Sequence, residues 1–558
     1  MISGAEIMVK CLEAEGVDIV FGYPGAAICP FYDKIYDSSI THILVRQEQN
    51  AAHAASGYAR CSNRPGVCVA TSGPGATNLI TGIATAYTDS IPIVAITGQV
   101  RSDLLGRDVF QEADITGACE PFVKHSYLVS KTEDLPRVFK EAFHIASTGR
   151  PGPVLIDIPV DIQENEIESF EYPESVNIIG YKPNTKGHAI QVKKAVEAIN
   201  ASKRPVIVSG GGVLSSGIKL KLQKFAETTG IPVISTMMGI GVMPSEHELY
   251  LGMLGTHGKA VANRALHEAD LVIVCGARLG DRAVAAPDQM SENTKVIHID
   301  IDPAEIGKNV KTEIPIVGDM KNVINIGNRC FKNCKLLTTI PFSNNVEKLG
   351  DYKVTTMWSE TVKNWKKDLY REPPVFDGFV EPRTLVGHLS AMFRSKAILV
   401  ADVGQNQIWC ANNFRIREGR FLTAGGMGTM GYSIPAAIGA KFARPDRDVI
   451  VICGDGSFQM GLNELATIAG NQLGIKIIIM KNARLGMVRE LQDKHYGGRH
   501  SATILNGDPD FLKIADAYGI DHAEAHSNKE AENIIKGIVD SEKPFILVCD
   551  VHPDTPSI

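Results

Sequence analysis

The stretch VIVICGDGS, Val449–Ser457, runs five apolar residues into an aspartate held between two glycines. A short β-branched run bounded by glycine reads as a buried strand, and Leu462, Leu465 and Ile468, at helical spacing beyond it, read as one face of a helix. The next apolar run, IKIIIM (Ile475–Met480), reads as a second strand, ending at Asn482. Strand, helix and strand make a β-α-β unit, so the strands are expected to be parallel and to present their carboxyl ends to a ligand. Adjacent strands lie about 4.8 Å apart, which would bring Asp455 and Asn482 to one edge. Magnesium takes six hard oxygens at about 2.1 Å, of which one or two come from carboxylates. Asp455, the Asn482 amide oxygen and a nearby backbone carbonyl would supply half of that shell. Gly456 and Ser457 open the helix, where free N–H groups favour a phosphate. Taken alone, GDGS is an ordinary strand-to-helix turn, because Asp and Gly are common turn residues.

Short apolar runs alternate with helix-length amphipathic segments along all 558 residues, so the class is α/β, with parallel sheets covered by helices. At roughly 100 to 200 residues per domain, this length holds about three or four units. Three are delimited. Residues 1–165 carry the strand candidates GVDIVFGYPG, THILVRQEQ, GVCVATSGPG, PIVAITGQV and PVLIDIP. Residues 188–330 carry RPVIVSGGGV, IPVISTMMG, ADLVIVCGAR and TKVIHIDID, and residues 375–550 carry AILVADVGQ, RDVIVICGDGS, IKIIIMKN and PFILVCDVH. An acidic, then Pro- and Asn-rich stretch, 164–187, links the first two, and 336–353 reads as a surface connection. No sequence repeat relates the units.

Lysine plus arginine number 57 against 63 for aspartate plus glutamate, a net charge of −6 without a long run of one sign, which argues against nucleic acid or a membrane surface as partner. The eleven cysteines are scattered, and the closest pair, Cys330 and Cys334, has no second Cys or His pair at zinc-site spacing. They read as core thiols in a reducing compartment. The N-terminal MISGAEIMVKCLEAEG reads as a short amphipathic helix rather than a signal peptide, and no apolar run approaches the roughly 20 residues that span a bilayer. A cytoplasmic protein is expected.

Spacing changes the weight of GDGS. With 25 residues between Gly456 and Asn482, the pattern resembles the thiamin-diphosphate motif, a Gly-Asp-Gly followed after some two dozen residues by Asn. Thiamin enzymes also place a carboxylate beside the cofactor's aminopyrimidine, and LVRQEQNAAHAASGYAR sets Glu48 after a strand and before a helix. By itself Glu48 would be a helix-start acid facing the dipole, or a solvated charge. The resemblance extends over nearly the whole chain, to the large catalytic subunits of acetohydroxyacid synthase, also called acetolactate synthase. It is carried by FGYPGAA, QEQNAAHAASGYAR, ATSGPGATNL, DSIPIVAITGQV, FQEADI, GRPGPVLIDIPVDIQ, HIDIDPAEIGKN, GGMGTMGYSIPAAIGA, GDGSFQM, NELATI and LGMVREL.

This resemblance implies an N-terminal pyrimidine-binding domain, a central FAD-binding domain and a C-terminal diphosphate-binding domain, all of the thiamin-diphosphate enzyme type. It implies decarboxylation of pyruvate and ligation of the hydroxyethyl group to a second 2-oxoacid, in branched-chain amino acid biosynthesis. Pyruvate as acceptor gives 2-acetolactate, and 2-oxobutyrate gives 2-aceto-2-hydroxybutyrate. Glu48 would hydrogen-bond the pyrimidine and promote removal of the thiazolium C2 proton, the reactive carbon being the cofactor's own. Asp455, Asn482 and the backbone oxygen of Arg484 would hold magnesium, and Val403, Gly404, Gln405, Gly456 and Ser457 would receive the diphosphate. Gly428, Met430 and Met487 would cradle the pyrimidine. Gln111 and Phe110 would face the active site from the first domain of a neighbouring subunit, which makes a homodimer the minimum unit. A homotetramer and a small regulatory subunit are further expectations of the family. For a non-redox FAD the implied contacts are Gly210, Gly211, Gly212, Thr236, Gly255, His257, Arg278, Asp300 and Asp302. VSGGGV is not a GxGxxG fingerprint and by itself is a tight strand-to-helix turn.

The chain departs from the family pattern in places. The usual YPGGA is Tyr23-Pro24-Gly25-Ala26-Ala27, so Ala26 adds a methyl near the reacting carbon. The usual FDDRVTG is LGDRAVA, which keeps Asp281 and Arg282, the arginine expected to receive the second oxoacid's carboxylate. Leu491 replaces the tryptophan of MVxQW. An apolar pocket discriminates one methylene by only about 1 to 3 kcal/mol, so losing the indole is expected to flatten a preference for 2-oxobutyrate. The chain stops at VCDVHPDTPSI, short of the tail the family often carries over its site, so a more open pocket is expected. Rival readings are a catabolic FAD-free acetolactate synthase, separated by flavin absorbance, and another thiamin-dependent 2-oxoacid decarboxylase, separated by acetaldehyde release. A cofactor-binding subunit without turnover is opposed by the intact Glu48, Asp455 and Asn482.

Overall fold

The computed structural model describes residues 1–284, 294–331, 356–394, 396–507 and 509–558, with backbone alone over 326–331. The Cys330 side chain, Cys334 and the connection 336–353 lie outside the described residues. The apolar run that opens the motif forms the strand Val449–Gly454, parallel to Ile398–Ala401 on one side and Ile475–Lys481 on the other. A strand flanked on both edges and covered on both faces must be apolar at every position rather than alternating. Val449 through Cys453 are fully buried.

Each of three domains contains a six-stranded sheet, and every pairing within these sheets is parallel. The third sheet runs Arg420–Leu422, Ile398–Ala401, Val449–Gly454, Ile475–Lys481, Phe545–Asp550, Asp521–Ala525. The first runs Thr41–Leu44, Ile19–Gly22, Gly66–Ala70, Ile93–Gln99, Val154–Pro159, His125–Leu128. Counted in chain order within each domain, both have the order 2-1-3-4-6-5. The outer domains are one topology used twice, although no sequence repeat betrays it. The central sheet, Tyr250–Met253, Val233–Ser235, Pro205–Ser209, Leu271–Cys275, Lys295–Asp300, Ile314–Val317, has the order 3-2-1-4-5-6, that of dinucleotide-binding sheets.

The outer domains are joined by two helices, Glu48–Ser62 and Ser433–Ala443, whose small residues let their backbones touch. A Cβ on Gly57 would overlap the Ala436 carbonyl, and one on Gly439 would overlap that of Ala54. These pairings run in opposite directions along the two helices, so the crossing is antiparallel. One hydrophobic core is continuous through it, from Phe21 and Ile43 to Val451 and Ile477.

The helix expected after Asp455 is broken in three: Asp455–Gly461, a 3₁₀ turn Leu462–Glu464, and Leu465–Gly470. The break turns the buried Glu464 carboxylate toward the first domain, where it accepts the Arg46 N–H at 2.8 Å and the Asn50 amide at 2.9 Å. The N-terminal helix forms at Gly4–Ala14, capped by Ser3. Cys11, Cys68, Cys119, Cys275, Cys410, Cys453 and Cys549 are buried free thiols, whereas Cys29 is exposed. Among the described residues no helix is long and apolar enough to cross a membrane.

Candidate active site

Adjacent parallel strands end at Gly454 and Lys481, and the residues just beyond them meet. Asp455, 1 % exposed, accepts the Gly456 N–H on Oδ1 at 2.9 Å and the N–H groups of Asn482 and Ala483 on Oδ2 at 3.0 and 2.6 Å. Ala483 takes the left-handed conformation (φ 52°) that turns both amides toward the carboxylate. The Asn482 Oδ1 accepts the Arg484 N–H at 3.1 Å, and its Nδ2 donates to Gln405 Oε1 at 3.0 Å. The Asp455 carboxylate and the Asn482 amide thus sit on neighbouring turns at one sheet edge. Ser457 closes the Asp455 turn, its hydroxyl accepting the Gly454 N–H at 3.1 Å.

The edge continues at the end of the neighbouring strand, Ile398–Ala401, where Gly404 (φ 138°) adopts a backbone that side chains rarely permit. Asp402, which sequence reasoning passed over, is fully buried and accepts the N–H groups of Val403, Gly431 and Ser433 at 2.8, 3.0 and 2.9 Å. Burial pushes its carboxyl up to about 6 against the pull of those donors. The signal that could have found it is the one that found Asp455, a carboxylate ending an apolar strand. Asp402 and Asp89 hold the loop of Gly428 and Met430 from two sides, Asp89 accepting the N–H groups of Gly425 and Gly426 at 3.1 and 2.7 Å. Met430 Cε comes within packing distance of Gly456.

The Gln405 side chain is engaged within the fold: Nε2 donates to Glu490 at 2.7 Å and to the Thr555 carbonyl at 2.9 Å, while Oε1 faces Asn482. The segment Thr555–Ser557 is seated at the same edge, with the Pro556 carbonyl accepting the Trp409 indole N–H at 2.9 Å. The helix Gly486–Tyr496 borders the site, with Met487 partly exposed and Leu491 46 % exposed.

In the first domain, Glu48 begins its helix after the extended Gln47, and its Oε2 accepts the Asn78 amide at 3.0 Å. Gly75 lies against the Glu48 carboxylate, and Gly25 and Gly75 both lie against Thr71, which caps the Ala27 N–H at 3.2 Å. Gln111 (φ 60°) packs on Gly73, Phe110 is 85 % exposed, and Ala26 is exposed. Glu48, Ala26, Phe110 and Gln111 therefore all follow carboxyl ends of strands of the first sheet.

The antiparallel helix crossing separates this half from the other. Ser433 is tied by Asp402 to the sheet edge that bears Asp455, whereas Glu48 lies toward the Ala443 end of the same helix. At 1.5 Å per residue that helix is about 16 Å long. Glu48 and Ser433 thus lie toward opposite ends of that helix.

At the carboxyl edge of the central sheet, Gly210 and Gly276 end the two strands that flank its switch point. Gly210 and Gly212 are spent on close packing against Gly276, so of the three glycines only Gly211 lies off that contact, near Met238. Thr236 and Asp300 share this edge, burial pushing the Asp300 carboxyl up to about 6. Asp302 is engaged by Arg150 of the first domain at 3.3 Å. The Arg278 guanidinium lies near Gly426 and beside Asp89. Gly255 packs on the Arg282 carbonyl, and His257, its pKa lowered by burial, feels the charges of Glu490, Arg282 and Lys494. Arg282 itself is 79 % exposed.

Residues 2–118, 192–326 and 402–549 match the N-terminal TPP binding domain, the central domain and the C-terminal TPP binding domain of thiamine pyrophosphate enzymes. The chain is 45 % identical to a probable acetolactate synthase large subunit of Methanococcus aeolicus over 99 % of this chain and 93 % of that one. It is 44 % identical to the acetolactate synthase large subunit of Haemophilus influenzae, over 93 % of this chain and 89 % of the relative. The corresponding subunit of Corynebacterium glutamicum is 45 % identical, over 93 % and 82 %.

Proposed function

The chain belongs to the acetolactate synthase large subunits of the thiamine pyrophosphate enzymes, and from that premise we propose that it decarboxylates pyruvate and ligates the hydroxyethyl group to a second 2-oxoacid. The observation that carries this reading is the convergence of Asp455 and the Asn482 amide oxygen at one sheet edge, behind a Gly-Asp-Gly turn. That donor set fits magnesium, and the Gly404 backbone beside it fits a diphosphate. Thiamin diphosphate, when bound, supplies the carbon nucleophile and the electron sink for decarboxylation. The chain's own groups position and protonate. Asp455, Asn482 and the Arg484 carbonyl hold the metal end, the Asp402-anchored loop orients Gly428 and Met430 against the ring, and Met487 closes that cradle. Glu48, restrained by Asn78, handles the proton at the pyrimidine ring nitrogen. Arg282, exposed beside the helix of Leu491, receives the acceptor's carboxylate, and the missing indole leaves pyruvate a competitive acceptor.

Because Glu48 and Ser433 lie toward opposite ends of one helix, the working unit is a homodimer in which each site draws Glu48, Gln111 and Phe110 from the other copy; pairing of dimers into tetramers and a small regulatory subunit extend the same reading. FAD in the central crevice, near Gly211, Thr236 and Asp300, and a cytoplasmic location complete it. The test is incubation with pyruvate, with and without 2-oxobutyrate, in the presence of thiamin diphosphate, magnesium and FAD, followed by product identification and a flavin spectrum of the purified protein. Acetolactate and acetohydroxybutyrate are expected; acetaldehyde as sole product would overturn the assignment.

A further inference from the structure

An asparagine serves a hard cation only if its oxygen, not its nitrogen, faces the ion, and the two ends of a carboxamide have nearly the same shape. Something must choose. Around Asn482 the Arg484 N–H holds the oxygen end at 3.1 Å, and the nitrogen end is chosen by a chain of groups with no freedom of their own. The Glu490 carboxylate and the Thr555 carbonyl can only accept, and both lie within hydrogen-bond distance of one end of the Gln405 carboxamide, at 2.7 and 2.9 Å. That end must be the NH2. The other end, Oε1, then faces Asn482 at 3.0 Å and can only accept, so the NH2 of Asn482 must point to it. The Asn482 oxygen is left on the side of the Arg484 N–H, while its own backbone N–H is donated to Asp455. Two further observations show that the relay is built. The Glu490 carboxylate is itself held by the Ser557 N–H and hydroxyl, both at 2.7 Å. Gly486 gives the Gln405 carboxamide its room, since a Cβ there would overlap both Oε1 and the carboxamide carbon.

We propose that Gln405, oriented by Glu490 and by the segment Thr555–Ser557, is a positioning residue that sets the amide of Asn482 oxygen-outward for the divalent ion. The inference rests on the assignment of Asp455 and Asn482 to that ion. Partners of metal ligands typically change metal affinity by about 10- to 100-fold. The experiment is a titration with Mn2+ in the presence of thiamin diphosphate, read by the paramagnetic signal of free Mn2+ and independent of turnover. Gln405→Met preserves volume and backbone but removes the acceptor, and should weaken Mn2+ by roughly tenfold or more. In an Asn482→Asp background both ends are oxygen and need no orienting, so adding Gln405→Met should cost nothing, or strengthen binding by removing an oxygen-oxygen clash. A purely structural role for Gln405 would give the same loss in both backgrounds. Should Gln405→Met not fold, Gly486→Ala displaces the same carboxamide and carries the same expectation. Wild-type affinity in Gln405→Met, or equal losses in the two backgrounds, overturns the relay. Failure of the wild type to bind Mn2+, or unchanged binding in Asp455→Ala, would instead overturn the metal site itself.

Discussion

Glu48 illustrates how little one residue says without its surroundings. It is a helix-start glutamate with one hydrogen-bond partner, Asn78, and nothing in its own geometry distinguishes it from a solvated acid. The proposed role needs a cofactor brought opposite it. Glu48→Gln should lower turnover by roughly 10² to 10⁴, the range for losing a positioned acid or base, while thiamin diphosphate binding, followed by fluorescence, changes far less. Leu491 makes the opposite case, because the expectation for it comes from its own side chain: a branched aliphatic stands where the family pattern expects an indole, and it is half exposed. Leu491→Trp should raise the share of acetohydroxybutyrate when pyruvate and 2-oxobutyrate compete, and an unchanged product ratio would rule out this residue as the selector. Asp402 and Glu490 were legible only as charges, since what makes each matter is a set of partners that are not its neighbours in sequence.

At the scale of elements, the strands on either side of Asp455 and their parallel pairing were read correctly because a short apolar run ending in glycine fits a buried strand of a parallel sheet. The helix after Asp455 was read as continuous, and its 3₁₀ interruption was hidden because the cause, Glu464 reaching Arg46 and Asn50, lies in another domain. The crossing of Glu48–Ser62 on Ser433–Ala443 depends on glycine where backbones touch. Gly439→Ala should destabilise by about 1 to 3 kcal/mol or more in denaturant unfolding, whereas Gly470→Ala, whose Cβ would meet nothing, should stay within about 0.5 kcal/mol. A second test concerns the first sheet. Asp157, buried between Thr97 and Gln99 of the adjacent strand, has its carboxyl raised to about 7 by burial, against 3.8 unfolded. The native state therefore holds this proton to higher pH than the unfolded chain. Its contribution to stability is complete below the unfolded value and is lost as pH rises through 7. Asp157→Asn should flatten the decline of unfolding free energy between about pH 4 and 7, measured by urea titrations at a series of pH values.

The whole molecule repeats one topology at its two ends and closes the ends on each other through an antiparallel helix pair. Exposed apolar side chains lie among the candidate site residues of both outer domains: Phe110 and Tyr23 in the first, Met427, Met460, Val488 and Leu491 in the third. Such surface is expected to be covered by a second copy. Mixing Glu48→Gln and Asp455→Ala proteins, each nearly inactive, should then restore about a quarter of wild-type activity after subunit exchange, since half the dimers are hybrid and each hybrid has one intact site. No recovery on mixing would place both residues in one chain's site.

The sequence by itself determined the α/β class, the three domains and the Gly-Asp-Gly turn between strand and helix, which follow from local periodicity and turn chemistry, and the family, which follows from motif resemblance along the chain. Only the tertiary structure decided that the outer domains share a topology, that the Gln405 side chain faces inward, that Thr555–Ser557 is seated beside it, and that Glu464 ties the third domain to Arg46 and Asn50. The physical reason is common to all four. Each depends on which distant backbones and carboxamides meet, and the hydrogen bonds and close contacts that fix those meetings have no period in the sequence.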